Sequence, residues 1–509
     1  MRPKPGSGES SVFTATGTDA AVATAPILNS QDHKSTGIFG RHGVLAFWKA
    51  IIPLALGLSA LAAPPNVVFI LTDDQGTLDA NCFGSTDLFT PNLDKLAATG
   101  VKFTQAYAHT VCCPSRAALM TGRHPQRSGI NSWTQGDMRG PDGINMALEE
   151  VTLAEALKGA GYRTALFGKW HLGAHRDFGA EKQGFDEFFG IRNGFIDNFR
   201  HFQLHGAGYH DLYEGTREVW AEGKYFPELV VERSLTFMEQ NRDRAFFLYL
   251  SLNIPHYPEE ALREHAERYA KLPMPRRSYA AIVTTTDYYI GRVLDKLETL
   301  GLRENTIVIF QSDNGHSAED YQIKVDNHAS GYPKGHNYGA NGGAGNTGNT
   351  GKWIGHKGTF LEGGVRTPAI MSYPAKIPRG ATRDQAVTIM DWYPTVLAYC
   401  GVALPAVKLD GHNLQPVIAS GETPSRHPVL HFQWEEQWAV REGNWKLIVK
   451  PKNRKKPELG LTQELFSLDG AEPERTNHAV GQPAVVARLQ SLHEQWARDV
   501  FNRPTSRAK

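Results

Sequence analysis

Cysteine is scarce, with four residues in a chain of 509. Four cannot staple a scaffold of this size, so burial of apolar surface has to hold it together. Excess charge of one sign is also missing: 54 Lys and Arg face 53 Asp and Glu, a formal net charge of +1. That balance gives no bulk electrostatic reason to expect nucleic acid or an anionic membrane as partner. Long apolar runs are absent too. The stretch 51–63 is too short for a bilayer, which takes about 20 residues as a helix. No internal repeat is visible. With 41% hydrophobic and 21% charged residues, collagen, coiled-coil and wholly disordered chains are excluded. The length predicts one large domain and a smaller one, since single cores seldom exceed about 250–300 residues.

Residues 1–40 are rich in Gly, Ser, Thr and Ala, without an apolar period, and read as a disordered extension. Residues 41–63 come next, with Arg41, His42 and Lys49, an apolar run, and small residues at Ala60 and Ala62. They read as a secretory signal peptide, with a buried helix as the alternative. A leader placed this far into the chain points to a later translation start, near Val44. The expected location is secreted or periplasmic, with no stable membrane anchor.

From residue 66, short β-branched or aromatic runs alternate with helical patterns. The runs 67–71, 164–167, 246–252, 306–311 and 369–373 are continuously apolar, which suits strands covered on both faces. Helices are expected over 92–98 with Gly100 as C-cap, after a Thr152/Glu155 capping box, and over 278–300 closed by Gly301. The predicted fold is α/β, a large mostly parallel sheet sandwiched by helices, over 64–415. Residues 416–509 carry four short strand patterns and an amphipathic stretch at 484–500. They read as a small C-terminal antiparallel α+β subdomain. The basic run 450–456 lies in a hairpin loop, read as a solvated loop or as a contact for an anionic glycan. The segment 315–355 is polar and Gly-rich. Glycine argues for disorder there; His316, Tyr321, His328, Tyr332, His336 and Trp353 argue for contact with a ligand.

In open α/β sheets, ligands bind beyond the carboxyl ends of the strands. Asp73 and Asp74 follow the first run, Asp313 and Asn314 the fourth, Lys169 and His171 the second, and His256 the third. Three carboxylates and an amide suit Ca2+ or Mg2+ rather than Zn2+. At 112–125, CCPSRAALMTGRHP predicts a helix with Pro114 in its first turn and Gly122 after its end. Cys112 then sits at a helix N-terminus, where its thiol is expected to be acidified, unless it is an inert buried cysteine.

The segment Cys112-Cys113-Pro114-Ser115-Arg116 with Met120-Thr121-Gly122 resembles the signature of type I sulfatases, members of the alkaline phosphatase superfamily. Asp73-Asp74-Gln75-Gly76, Gly168-Lys169-Trp170-His171, Pro255-His256-Tyr257-Pro258, Asp313-Asn314-Gly315 and Lys357-Gly358 with Glu362-Gly363-Gly364 resemble that family's other motifs, in its order. The resemblance implies that a separate maturation enzyme oxidises Cys112 to formylglycine. The hydrated aldehyde carries two hydroxyls: one attacks sulfur in line, and the other later expels sulfate. It implies that Asp73, Asp74, Asp313, Asn314 and the residue from Cys112 hold one Ca2+. Arg116 and Lys169 would neutralise the nucleophile. Lys357 and His256 would bind sulfate, with His256 the acid and His171 the base. His316, Trp353 and His356 flank these motifs and are expected to touch a sugar. The implied function is a sulfuric ester hydrolase acting on a sulfated carbohydrate. The alternatives are a phosphonate or phosphate ester hydrolase of the same superfamily, and a non-catalytic binder of sulfated glycans.

Overall fold

The computed structural model describes residues 63–134, 142–203, 209–318, 348–453 and 455–501. The expected extension and all but the last residue of the expected leader lie outside these, as do Tyr321, His328, Tyr332 and His336. The strands of the larger sheet are β1 (Asn66–Asp73), β2 (Val101–Tyr107), β3 (Arg163–Lys169), β4 (Glu187–Ile191), β5 (Tyr213–Glu214), β6 (Arg217–Glu218), β7 (Phe246–Pro255), β8 (Thr306–Ser312), β9 (Arg366–Ser372), β10 (Ala381–Arg383) and β11 (Val387–Thr388). Their order is β10-β2-β9-β8-β1-β7-β3-β4-β5-β6, with β11 also on β2.

The centre, β8-β1-β7-β3-β4, is parallel throughout. This places the carboxyl ends of these strands along one edge. Alternate residues of β1 feed different cores: Val67, Phe69 and Leu71 one, Val68 and Ile70 the other. Each face is therefore covered, which is why the run reads as continuously apolar. Helices Cys112–Thr121, Leu153–Gly159 and Trp392–Cys400 supply the first core. Helices Pro91–Ala98, Phe226–Gln240 and Arg276–Thr299 supply the second.

The capping box forms as expected, Thr152 Oγ accepting from the Glu155 amide at 3.0 Å and Glu155 from the Thr152 amide at 2.8 Å. Two local expectations change. β9 begins at Arg366 and is antiparallel to both neighbours, β2 and β8. Thr99, not Gly100, caps the first helix. Gly100 serves close packing instead, because a Cβ there would stand 2.2 Å from the Met371 carbonyl oxygen.

The smaller sheet is an antiparallel meander of β12 (Val429–Trp434), β13 (Gln437–Glu442), β14 (Trp445–Pro451) and β15 (Leu461–Ser467). Its two faces do different jobs. Leu430, Phe432, Trp434 and Ile448 pack on Tyr107, Val111 and Phe360 of the larger domain. Val440, Leu447 and Leu465 pack on Leu489 of helix Pro483–Phe501.

A buried charge cluster crosses this seam. Lys446 Nζ, fully buried, reaches Glu362 at 2.6 Å, Glu474 at 2.8 Å and the Phe360 carbonyl at 3.1 Å. Burial alone would raise the Glu362 carboxyl; Lys446, Arg366 and Arg441 outweigh it and hold the group at about 2. Lys446→Met would strand two carboxylates in the interior, a loss of about 3–5 kcal/mol. A loss of that order in the unfolding free energy from urea titration is expected; an unchanged value would show the cluster to be solvated.

Candidate active site

The edge at the carboxyl ends of β1, β3, β7 and β8 collects the charged residues. Asp73 ends β1, Lys169 ends β3, His256 follows β7, and Asp313 and Asn314 follow β8. Helix Cys112–Thr121 brings Cys112 and Arg116 to the same place, ending at Gly122 in the left-handed conformation, φ 64°. Lys357 and Glu362 come from the segment before β9. Asp74 and His171 themselves adopt φ 64° and 55°. Non-glycine residues hold such angles at a cost of about 1–3 kcal/mol each, and the surroundings have to impose them.

Arg116 is the hub, fully buried. Its Nη2 donates to Asp313 at 2.8 Å and its Nε at 3.1 Å; its Nη1 donates to the Lys169 carbonyl at 3.0 Å and to Ser251 Oγ at 2.5 Å. Lys169 Nζ sits 2.5 Å from Asp73. Lys357 Nζ sits 2.9 Å from Asp74 and 3.0 Å from His256 Nε2. His256 Nδ1 donates to the Tyr257 carbonyl at 2.6 Å, which turns Nε2 toward Lys357 and Asp74. Phe195 stacks on the His256 ring, centroids 4.9 Å apart.

The oxygens are arranged for a hard cation. Ligand atoms of Asp73, Cys112 and Asp313 lie within 4.8 Å of one another, and so do those of Asp73, Asp74 and His256. Asp73 Oδ1 and Asn314 Oδ1 are buried without a hydrogen-bond partner in the protein. Burial and repulsion from Asp73 push the Asp313 carboxyl up to about 7, despite Arg116 and Lys169 beside it. Burial acts on Asp73 as well, but Lys169, His256, Arg116 and Lys357 together hold that carboxyl far below its ordinary range. The Arg116 guanidinium is shared between the two, 2.8 Å from Asp313 and 3.6 Å from Asp73, yet the carboxyls still repel each other, a repulsion that a divalent ion would offset. The residues therefore fit a hard divalent cation, with the ligand atoms of Asp73, Cys112 and Asp313 in one converging group and those of Asp73, Asp74 and His256 in the other.

One expectation about protonation changes. The Cys112 thiol is not acidified: burial pushes it up, and Lys169 and Lys357 offset only part of that. The helix end expected to stabilise the thiolate is closed off from water, and Cys112 is 1% exposed. His171 is held neutral, well below its ordinary range, by burial and by Lys169 and Arg116. Its Nε2 stands 3.2 Å from Cys113 Sγ.

His316 is buried near His356, ring centroids 6.5 Å apart, and its carbonyl accepts from the Lys357 amide at 2.9 Å. Trp353 carries the Arg366 guanidinium at 4.5 Å and the Lys352 ammonium at 4.7 Å from its centroid, so the protein's own cations occupy it. Cys82 and Cys400 are half-buried, and all four cysteines are free. Ser251, Thr134 and Phe195 belong to the site but are absent from the motifs. Ser251 ties Arg116 to β3, donating to the Lys169 carbonyl at 2.6 Å; Thr134 donates to the His171 carbonyl at 2.6 Å. The one polar residue in the third apolar run, Ser251, is the available signal for it.

Residues 65–402 match the family model described as Sulfatase, and 352–498 that described as N-sulphoglucosamine sulphohydrolase, C-terminal. The chain is 33% identical over 427 residues to N-acetylgalactosamine-6-sulfatase of Canis lupus familiaris, covering 78% of this chain and 75% of that protein. To human arylsulfatase A it is 33% identical over 421 residues, covering 78% and 76%. Among solved structures, that of Ps i-CgsB matches with a TM-score of 0.71 at 27% identity, over 87% of this chain and 94% of that one. The phosphonate monoester hydrolase of Agrobacterium radiobacter shares the fold, with a TM-score of 0.57 at 17% identity, over 85% and 95%. A shared fold does not carry an activity across. The sulfatase match does not rest on fold, since it extends over two thirds of the sequence in the order of the site motifs: the chain belongs to the sulfatase family, as a type I sulfatase and a sulfuric ester hydrolase.

Proposed function

We propose that the chain removes sulfate from a sulfated carbohydrate, using Cys112 converted to formylglycine by a separate maturation enzyme, beside one Ca2+. The observation that carries this reading is the placement of Cys112 with Asp73 and Asp313, ligand atoms within 4.8 Å, inside a ring of Arg116, Lys169 and Lys357. The hydrated formylglycine supplies two hydroxyls on one carbon, and the bound cation lowers the cost of negative charge next to them. Three carboxylates stand against three cations here, so a bound divalent ion leaves the pocket positive and suited to an anionic ester.

The remaining work falls to side chains of the chain. Lys357 and His256 hold the sulfate oxygens. His256, oriented through Nδ1 by the Tyr257 carbonyl, would act as the imidazolium, giving its Nε2 proton to the leaving oxygen. His171, neutral near pH 7, accepts the proton released when sulfate departs. Arg116 and Lys169 keep the nucleophile and Asp73 ionised. His316 and His356, on the segment that carries Lys357, are the sugar contacts; Trp353 is a weaker candidate, since Arg366 and Lys352 already occupy its ring. Residues 64–415 form the catalytic domain and 416–509 the subdomain that backs it.

Two of the relatives support a carbohydrate substrate: N-acetylgalactosamine-6-sulfatase by its name, and Ps i-CgsB, solved in complex with k-i-k-neocarrahexaose. The proposal includes a secretory leader at 41–63 and a secreted or periplasmic location. Among the described residues no helix is long and apolar enough to cross a membrane. Matched sulfate and phosphate monoesters of one alcohol test the reaction. A higher kcat/KM for the sulfate ester is expected; faster phosphate release would overturn the reading. A panel of defined sulfated saccharides tests the substrate class.

A further inference from the structure

Cys113 stands next to Cys112 in the first turn of helix Cys112–Thr121 and touches His171. Its Sγ is 3.2 Å from His171 Nε2, 3.3 Å from the Thr134 amide nitrogen and 3.3 Å from Thr134 Oγ1. The Thr134 hydroxyl is in turn 2.6 Å from the His171 carbonyl oxygen. Thiol, hydroxyl and histidine thus close a loop, and all three residues are buried. The His171 ring has little room to turn. Its backbone is held at φ 55°, its amide donates to the Arg192 carbonyl at 3.1 Å, and a Cβ added at Gly194 would stand 2.9 Å from its Cε1. Its other nitrogen, Nδ1, is buried and has no hydrogen-bond partner among the described residues.

The protons in this loop can be counted. Burial pushes the Cys113 thiol up, so its sulfur carries a hydrogen at neutral pH. The Thr134 hydroxyl donates to the nearer and stronger acceptor, the His171 carbonyl. The contact between Thr134 Oγ1 and Sγ is then bridged by the thiol hydrogen, with S–H donating to oxygen. That hydrogen is spent, so the contact between Sγ and His171 takes its proton from the ring: Nε2–H donates to sulfur. The reverse assignment, thiol to Nε2, would set lone pairs of oxygen and sulfur against each other in the interior. Neutral His171 therefore carries its hydrogen on Nε2 and a lone pair on Nδ1.

We propose that Cys113 is a positioning residue: through its contact with Nε2 it selects the tautomer in which Nδ1 is the basic atom of His171, the one that takes the proton when sulfate is expelled. This rests on the reading of His171 as the base, and adds which nitrogen acts and what selects it. In that step the free hydroxyl on the sulfated residue 112 gives its proton to Nδ1, and its O–H electron pair becomes the second bond of the aldehyde C=O. The C–O bond to the sulfate group breaks, and its pair leaves on sulfate. The imidazolium so formed keeps Nε2–H on the Cys113 sulfur.

The test uses C113V, which fills the space without a hydrogen-bonding atom, and C113S, which keeps a donor and an acceptor. Rates are normalised to formylglycine content by mass. With 4-nitrophenyl sulfate, C113V should lose about 10–100-fold in kcat, the cost of removing a group that orients a functional histidine. Its kcat/KM for nitrophenol release should stay parental, because only the later step is slowed. A burst of one nitrophenol per chain and a mass heavier by one SO3 group should accompany this, and C113S should recover most of kcat. A second readout needs no turnover. In protein labelled with 15N-histidine, the His171 signals, identified by their loss in H171Q, should show hydrogen on Nε2 in the parent and C113S and mixed tautomers in C113V. Hydrogen on Nδ1 in the parent would overturn the proposal, as would parental kcat in C113V. So would equal falls of kcat and kcat/KM in both variants without a burst, which would mark Cys113 as packing alone. Failure of the formylglycine reading looks different: Cys112 unmodified and no turnover by the parent, with the tautomer unchanged.

Discussion

Asp313→Asn is expected to abolish Ca2+ binding by calorimetry and to lower kcat/KM by more than about 10³-fold, beyond what loss of one transition-state donor costs. Asp313 shares the Arg116 guanidinium with Asp73, and its amide counterpart would remove one negative charge from the cation's proposed surroundings. Asn is a better probe than Ala. Arg116 is fully buried and spends two of its donors on Asp313, so Ala would leave a guanidinium unmatched in the interior. The amide keeps an oxygen where Arg116 needs one. Circular dichroism of the Asn variant should match that of the parent, and chelation of the parent should reproduce its loss of activity. A variant that still turns over at the parental rate would exclude Asp313 from the metal site.

Cys112→Ser should give no steady turnover, but one equivalent of alcohol per chain. Serine presents a single hydroxyl where hydrated formylglycine presents two. After sulfur is attacked and the alcohol leaves, the serine carries a sulfate ester with no neighbouring hydroxyl on the same carbon to expel it. Intact-mass measurement should show the chain heavier by one SO3 group, with the added mass on the peptide containing residue 112. Continuous turnover by this variant would mean that water reaches sulfur directly, and the two-hydroxyl mechanism would fall. An unmodified Cys112 in protein from its native host would favour the glycan-binder alternative.

Much of the fold is readable in the chain because burial on two faces leaves a pattern. β1, β7 and β8 are apolar at consecutive positions, and each run gives way to a charged residue at the sheet's edge. β2 is not legible. Val101 and Phe103 point inward while Lys102 and Thr104 stand partly exposed, too brief an alternation beside a helix that ends at Ala98. Strand direction is not encoded locally either: β9 carries the same continuous apolar run as the parallel strands of the centre, yet runs antiparallel to both β2 and β8. The metal set is legible because Asp and Asn after strands are polar residues with no core role. Ser251 is not, because a lone serine inside a buried apolar strand reads as part of the core. The thiol of Cys112 departs from expectation because sequence reveals a helix end but not whether water reaches it.

The 1% exposure of Cys112 also has a consequence in time. Val111 beside it is covered by the meander, whose strands are the last in the chain. With the sulfur buried and the meander packed on Val111, contact with a second protein would have to precede docking of the C-terminal sheet. An oxidising enzyme would have to meet residues 112–116 while the chain is still extended, during synthesis or translocation. Protein made without that enzyme would fold around an unconverted thiol, and adding the enzyme afterwards would not rescue it unless the chain were first unfolded.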